Sequence, residues 1–523
     1  MVLPLKRVFG LLCALCLALA LAGCGDGVNS FTWFVDEIPA NLDPQVASGS
    51  ADVIACTNLY AGLLRKTADG TLEYACAERY EVSADGLRYT FYLKDGLRYT
   101  ARRGAATDYA ITAEDFVFAF RRIYSAATAS PYTDDFSALV NSAAVLAGDA
   151  DAGELGIAAP DRLTVVFTLS RKDDAFLEKL TLPGAAPCDQ IFFESTQGTY
   201  GLTMASTLAS GSFYVQNWTE SGLFLRRAVS GDLVDSLRLV QSSDTTGMSA
   251  ARQISEGLCS AALDDSGEAT GLPAVEYTDT TWCLLFNQHS AVLADEHVRA
   301  ALANVAYAAG LPGQASARFG AVEGLIPAGV TVDGADYRSH AGATLPAVGS
   351  AKEAYALALA QPDPPRVAGL TLLVPEGSDV AALAQTLNGL WQKELALFFS
   401  IETVPADELE QRLAAGKYTL ALAPLRLTRD DPLALLARFE SGGFTGYSSA
   451  EYDSLCRQAA DASGSERLAL CAQAERLLLQ DYGAVPLFCQ VRRLLTSSRV
   501  AGLRFEPYGP VLDLTDATQT RAS

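Results

Sequence analysis

The strongest constraint in the sequence is a strand with no polar face. Residues Thr281 to Phe286 read Thr-Trp-Cys-Leu-Leu-Phe, an almost unbroken apolar run. A strand on a sheet surface alternates apolar and polar residues, whereas one covered on both sides does not. This segment therefore requires a sheet buried on both faces, and the pattern over Glu296 to Ala309 predicts a helix directly after it. The rhythm recurs as a strand Leu370 to Val374, a helix Val380 to Leu397 and a strand Phe398 to Val404. Strand–helix–strand units of this kind build a wound layer, so the expected fold class is α/β.

Other segments fill in the order of elements. Phe31 to Val35 reads as a first strand, Asn41-Leu42-Asp43-Pro44 as a turn, and Val53 to Leu64 as a helix. The hexapeptide Asp85-Gly86-Leu87-Arg88-Tyr89-Thr90 returns as Asp95-Gly96-Leu97-Arg98-Tyr99-Thr100. Between the two Asp-Gly turns, Tyr89, Phe91 and Leu93 alternate with polar positions, which predicts a half-buried strand of a β-meander. Thr112 and Asp115 form a capping box for a helix whose apolar face is Phe116, Phe120 and Ile123. Arg162 to Leu169 reads as a strand, Asp173 to Leu180 as a short helix, and Ser212 to Val215 with Leu223 to Arg227 as a strand pair. A helix Glu466 to Leu479 and a strand Val485 to Gln490 close the chain, while Ala328 to Gly349 reads as a surface excursion.

The first residues carry an address. Lys6 and Arg7 precede an apolar run from Val8 to Leu21, too short to span a bilayer but suited to a signal-peptide core. The run ends in Leu21-Ala22-Gly23-Cys24, which resembles a bacterial lipobox with Cys24 as the lipidated first residue of the mature chain. Residues 1–23 are then a lipoprotein signal peptide and 24–30 a tether. Eight cysteines remain: Cys56, Cys76, Cys188, Cys259, Cys283, Cys456, Cys471 and Cys489. Their wide spacing and the absence of Cys-x-x-Cys predict small buried apolar side chains with no pairing.

Composition removes several functions. With 39 basic and 61 acidic residues the net charge is −22, which disfavours nucleic acid and anionic membrane surfaces as partners. Three histidines, none at helix-pair spacing, leave no His-rich metal centre, and no metal or cofactor is expected. No Gly-x-Ser-x-Gly elbow, no Ser-x-x-Lys and no phosphate-binding loop occurs. Acidic pairs such as Asp134-Asp135, Asp173-Asp174 and Asp430-Asp431 read more simply as helix starts or solvated turns than as two-carboxylate centres. The chain is not expected to be an enzyme.

Taken in order, the motifs resemble one family. Asn41-Leu42-Asp43-Pro44, then Asn58 to Leu63, then Ala77 to Gly86 with Tyr89 to Leu93, and Ile111 to Phe116 with Arg121 form its first half. Gly211-Ser212-Phe213-Tyr214 with Trp218, Phe286-Asn287, Leu293 to Asp295, Val298-Arg299 and Ala301-Leu302 with Ala306 follow. Gly446 to Ser449, Tyr452 to Leu455 and Val485 to Leu487 complete the series. The chain resembles the solute-binding proteins of bacterial ABC importers, in the class of oligopeptide- and dipeptide-binding proteins (solute-binding protein family 5).

That resemblance implies a three-lobed, periplasmic-binding-protein-like α/β fold. Lobe I comprises 31–60, 180–275 and 490–523, an inserted lobe II 61–179, and lobe III 276–489. Two wound lobes close on a solute, most simply a peptide, for an importer permease, with the chain monomeric and held at the membrane through Cys24. The implied ligand-binding residues are Ser48, Gly49, Ser50, Trp282, Asn287, Leu425, Thr428, Phe444 and Phe488. Relatives that bind peptides carry a Trp and an Asp where Leu425 and Thr428 stand; Thr428 supplies no carboxylate for a ligand amine, and Asp430 and Asp431 lie close on a different register. A glycan fragment or metallophore is the alternative ligand within the class. A secreted lipoprotein hydrolase and a non-transporting surface receptor are the rivals outside it.

Overall fold

The computed structural model describes residues 29–101, 106–229, 231–242, 247–311, 318–508 and 511–520. The expected signal segment and Cys24 lie outside these residues. Along the chain the elements that matter are β1 (Ser30–Val35), α1 (Ser50–Leu59), β2 (Ala77–Val82), β3 (Arg88–Leu93), α2 (Ala113–Ile123), β4 (Ile157–Asp161) and β5 (Thr164–Thr168). Next come β6 (Phe213–Thr219), β7 (Gly222–Arg227), β8 (Ser236–Gln241), β9 (Ala261–Asp264), β10 (Ala274–Phe286), α3 (Glu296–Ala308) and β11 (Phe319–Gly320). Then follow β12 (Thr371–Pro375), α4 (Ser378–Leu395), β13 (Ser400–Val404), β14 (Leu420–Arg426), α5 (Gly464–Gln480) and β15 (Val485–Thr496).

Three sheets organise them. The first has the order β1-β8-β7-β6, parallel only between β1 and β8. The second, β2-β3-β5-β4, is wholly antiparallel. The third runs β9-β15-β10-β14-β12-β13, with β11 also against β15. Its strands β12, β13 and β14 are mutually parallel where they pair, and β10 is antiparallel to both β14 and β15.

The third sheet explains the apolar run. Cys283 and Leu285 of β10 join Ala421 and Ala423 of β14 in one buried core. Trp282, Leu284 and Phe286 join Leu420 and Leu422 in another, beneath α3 and α4. Alternate residues thus enter different cores, and neither face can be polar. The meander sits in the second sheet, where Phe91 meets Phe167 edge to face over α2. The capping box is present too: the Thr112 amide donates to Asp115 Oδ2 at 2.9 Å.

Two expectations change. The helix predicted to Leu64 ends at Leu59, because tertiary partners take its next hydrogen bonds. Gly211 N–H donates to the Leu59 carbonyl at 2.8 Å, and the Ala61 amide donates to Ser210 Oγ at 3.0 Å. Gly62 then passes so close to Leu180 that a Cβ would lie 2.8 Å from its carbonyl oxygen. The segment 328–349 is not a loose excursion. It holds a short helix, Tyr337–Ala341, whose Tyr337 and Arg338 are buried against α5.

Glu475 of α5, with no exposed surface, is the partner of that segment. Its Oε1 accepts from the amides of Leu325 (2.7 Å) and Ile326 (2.8 Å) and from Arg338 (2.9 Å). Its Oε2 accepts from Tyr337 Oη at 2.9 Å. Such a charge is stable inside a protein only when paired and fully hydrogen-bonded, as here. Gly324 is required beside it, since a Cβ there would lie 2.1 Å from Thr344 Oγ1 and 2.6 Å from Glu475 Oε1.

The eight cysteines are buried thiols, none of them in a disulfide. Burial pushes Cys76, Cys188, Cys456 and Cys471 each up to about 12, so the reactive thiolate is disfavoured at neutral pH. A disulfide-exchange reagent added to native protein beginning at Gly25 is expected to label fewer than about one thiol per chain in minutes, and all eight after denaturation. Rapid native labelling of two or more would show that the buried state opens readily.

Candidate ligand-binding site

The site follows from where the third sheet stops pairing. On one side β14 is fully covered by β10, from Phe286 opposite Leu420 to Thr280 opposite Arg426. On its other side β12 reaches only Leu420 and Ala421. The Leu427 amide donates to the Asp279 carbonyl, and the Asn287 amide to the Thr419 carbonyl. In an antiparallel ladder hydrogen-bonded pairs alternate, so odd-numbered residues of β14 face β10. Pro424 and Arg426 therefore turn their backbone polar groups outward, along an edge with which no strand among the described residues pairs beyond Ala421. Pro424, which has no N–H, sits where a strand tolerates proline, on such an edge.

An aromatic wall stands beside this edge. Trp282, 6% exposed, lies opposite Pro424, stacks on Phe488 with centroids 5.8 Å apart, and meets Phe319 edge to face at 6.0 Å. Its indole Nε1 is buried without a hydrogen-bond partner among the described residues. At the open end Asp279, wholly buried, accepts from Arg426 Nε at 3.1 Å, Arg492 Nη1 at 3.4 Å and Thr280 Oγ1 at 2.8 Å.

The opposite wall is built by the loop 130–135. Ser130 Oγ donates to the Gln45 carbonyl at 2.6 Å, and Tyr132 Oη to the Ala47 carbonyl at 3.0 Å, fixing the stretch just before Ser48-Gly49-Ser50. Gln45 in turn accepts from Arg122 at 2.6 Å, and Arg122 also pairs with Asp43. From the edge side, Arg429 donates to the Pro131 carbonyl at 3.3 Å and to Asp135 Oδ1 at 3.4 Å. Burial pushes the Asp135 carboxyl up, and Arg429 counters it. One loop thus joins the Ala47–Ser50 segment to the exit of β14.

The model for bacterial extracellular solute-binding proteins, family 5, matches residues 71–446. The chain belongs to that family. Family 5 is a family of binding proteins, and its description places it outside the cell. The chain is 30% identical over 182 residues to a probable deoxycholate-binding periplasmic protein, YgiS, of Escherichia coli, covering 34% of this chain and 33% of that one. It is 27% identical over 220 residues to a dipeptide-binding protein of Lactococcus lactis, covering 41% and 39%. The matched stretches thus span about a third of the length of these curated relatives. The solved structure of Listeria monocytogenes OppA bound to peptide shares the fold, with a TM-score of 0.69, 19% identity, and coverage of 95% of this chain and 100% of that one. The architecture is the multi-lobed α/β fold expected from the motifs.

Within this family-5 chain the nine residues named from sequence divide into groups. Trp282, Leu425 and Phe488 come together: Leu425 pairs with Thr281, one residue from Trp282, although its own side chain points into the other core. Thr428 is exposed at the exit of the edge. Ser48, Gly49 and Ser50 precede and open α1, one loop away from Arg429. Asn287 lies at the far end of β10, its side-chain amide donating to the carbonyls of Gly416 (2.9 Å) and Tyr418 (2.8 Å). Phe444 belongs to that end too, with its carbonyl accepting from Tyr418 Oη. Asp430 and Asp431 are committed elsewhere, to Thr331 at 2.6 Å and to Arg467 at 2.7 Å. Sequence reasoning missed Arg426, Arg492, Asp279 and Tyr132; only the outward position of Arg426 in an otherwise apolar strand could have signalled any of them.

A separate cavity of 400 Å³ opens beside α1, lined in part by Tyr60, Lys66, Lys94, Pro183 and Arg504. It contains none of the nine residues. Its cations are largely satisfied, Lys66 by Glu178 at 3.0 Å and Arg504 by Asp513 at 3.3 Å.

Proposed function

We propose that this chain is a lipid-anchored receptor on the outer side of the cytoplasmic membrane. It captures an extended peptide along the free edge of β14 and passes it to the permease of an ABC importer. The edge beyond Ala421, with which no strand among the described residues pairs, carries the reading, because an extended ligand can add a strand there through backbone hydrogen bonds while its side chains stay unselected. Membership of a family of extracellular binding proteins supports the location, and the dipeptide-binding relative supports the ligand class. The lipobox-like Leu21-Ala22-Gly23-Cys24 supports the anchor.

Capture is completed by closure of lobe III on lobes I and II, with the boundaries given above. The hinge consists of β10 and β15, long strands shared between cores: Leu494 packs with β1 and β8, while Val485 and Phe488 pack with α3 and α4. Ligand contacts to both walls favour the closed state over the open one. Pro424, by withholding one donor, and the similarity to a probable deoxycholate-binding protein favour a second reading, a single non-peptide ligand.

Protein beginning at Gly25 would be purified without denaturant, unfolded, and its released small molecules identified by mass spectrometry. A set of peptides is the expected result; one non-peptide species would move the ligand to the second reading. Adding the identified molecule back is expected to shrink the scattering radius and raise Tm, since it binds only the native, closed chain. A radius unchanged at saturation would sink the closure mechanism.

A further inference from the structure

The open end of the β14 edge has cationic hydrogen-bond donors to spare, while each nearby aspartate already accepts a donor. Asp279 has both oxygens engaged, by Thr280 on one side and by Arg426 and Arg492 on the other. Asp430, exposed beyond the strand, binds the Thr331 amide with one oxygen and the Thr331 hydroxyl with the other, each at 2.6 Å. Asp431 holds Arg467 and the Leu433 amide, and Asp135 holds Arg429.

The arginines differ. Arg426 uses only its Nε, and its terminal nitrogens have no partner among the described residues in a side chain 46% exposed. Arg429, 49% exposed, makes only the two long contacts at 3.3 and 3.4 Å. The Nε of Arg492 is buried and unpartnered. Two arginines therefore share the single carboxylate of Asp279, next to a backbone edge free to pair.

We propose that this edge takes a ligand that brings a carboxylate to Arg426 and discriminates against one that brings an ammonium group there. The inference rests on β14 being the ligand edge. A guanidinium with free terminal nitrogens accepts a carboxylate through two parallel hydrogen bonds. An ammonium placed there meets the half-exposed guanidinium of Arg426, whose carboxylate partner Asp279 is wholly buried and already accepts from three donors. In a chain of net charge −22, a locally donor-rich groove stands against the background of the whole surface.

The test is calorimetric titration of the mature chain with four tetrapeptides acetylated at the amino end. One is neutral alanine with an amidated end, one has a free carboxyl end, one is amidated with glutamate at position two, and one is amidated with lysine there. The two carboxylate forms are expected to bind at least about tenfold tighter than the neutral peptide, and the lysine form more weakly than it. Whichever carboxylate form binds tighter identifies the source of the charge, carboxyl terminus or side chain. In Arg426→Gln the ratio of affinities between the carboxylate and neutral peptides should fall to within about threefold. Equal affinities, or a preference for lysine, would overturn the proposal and leave β14 standing as the ligand edge. Failure of all four to bind would remove the ligand edge and this proposal with it.

Discussion

Arg338→Ala is expected to destabilise the chain by about 3–5 kcal/mol, the usual cost of leaving a buried charge without its partner. Arg338 is 8% exposed and Glu475 has no exposed surface, so water cannot replace the lost guanidinium. The carboxylate would keep its bonds from Leu325, Ile326 and Tyr337 but lose the positive charge that offsets its burial. The measurement is the urea midpoint of the affected transition, followed by fluorescence. Adding Glu475→Gln to Arg338→Ala should recover part of the loss, because the amide oxygen still accepts the two backbone N–H groups and carries no charge. If the double variant lost as much as the two single losses summed, the residues would be acting independently.

Arg426→Pro is expected to weaken ligand binding by roughly 10- to 100-fold relative to Arg426→Gln, the two variants sharing the stability lost with the Arg426–Asp279 contact. Removing the outward N–H leaves an acceptor of the docked ligand unsatisfied, at a cost of about 1–3 kcal/mol. The ladder should tolerate the change for the reason it tolerates Pro424, since the backbone nitrogens at both positions point away from β10. Arg426→Gln keeps the N–H and separates backbone from side-chain effects: toward a neutral amidated peptide it should bind more tightly than the proline variant. Isothermal titration of parent, glutamine and proline variants reads all three. A proline variant that binds the neutral peptide as tightly as the parent would mean that no ligand strand pairs with β14.

Much of the molecule could be read directly from the chain. The run Thr281 to Phe286 announced a sheet covered on both faces, and the structure divides its residues between two cores. The Asp-Gly repeat, the Thr112–Asp115 cap and the strand–helix–strand unit over 370–404 emerged within a few residues of their predicted bounds. These are local patterns, set by side-chain periodicity and by caps within one turn. Errors came where distant residues took over. Ser210 and Gly211 ended α1 early, and Glu475, more than a hundred residues away in sequence, turned the Gly- and Ala-rich stretch around Arg338 into packed core.

The candidate site divides in the same manner. Trp282 and Phe488 were visible as aromatics in apolar strands, and the structure stacks them. Asn287 looked equivalent by motif, yet its amide is spent on the carbonyls of Gly416 and Tyr418 at the other end of the strand. By itself the sequence determined the fold class, the buried strands and the family, because each rests on residue order and periodicity. Only the tertiary structure decided that β14 has an open edge, that Pro424 and Arg426 face it, and that Arg426 and Arg492 share Asp279. Those facts depend on where β12 stops and which strands become neighbours, and pairing between segments tens to hundreds of residues apart leaves no period in the sequence to read.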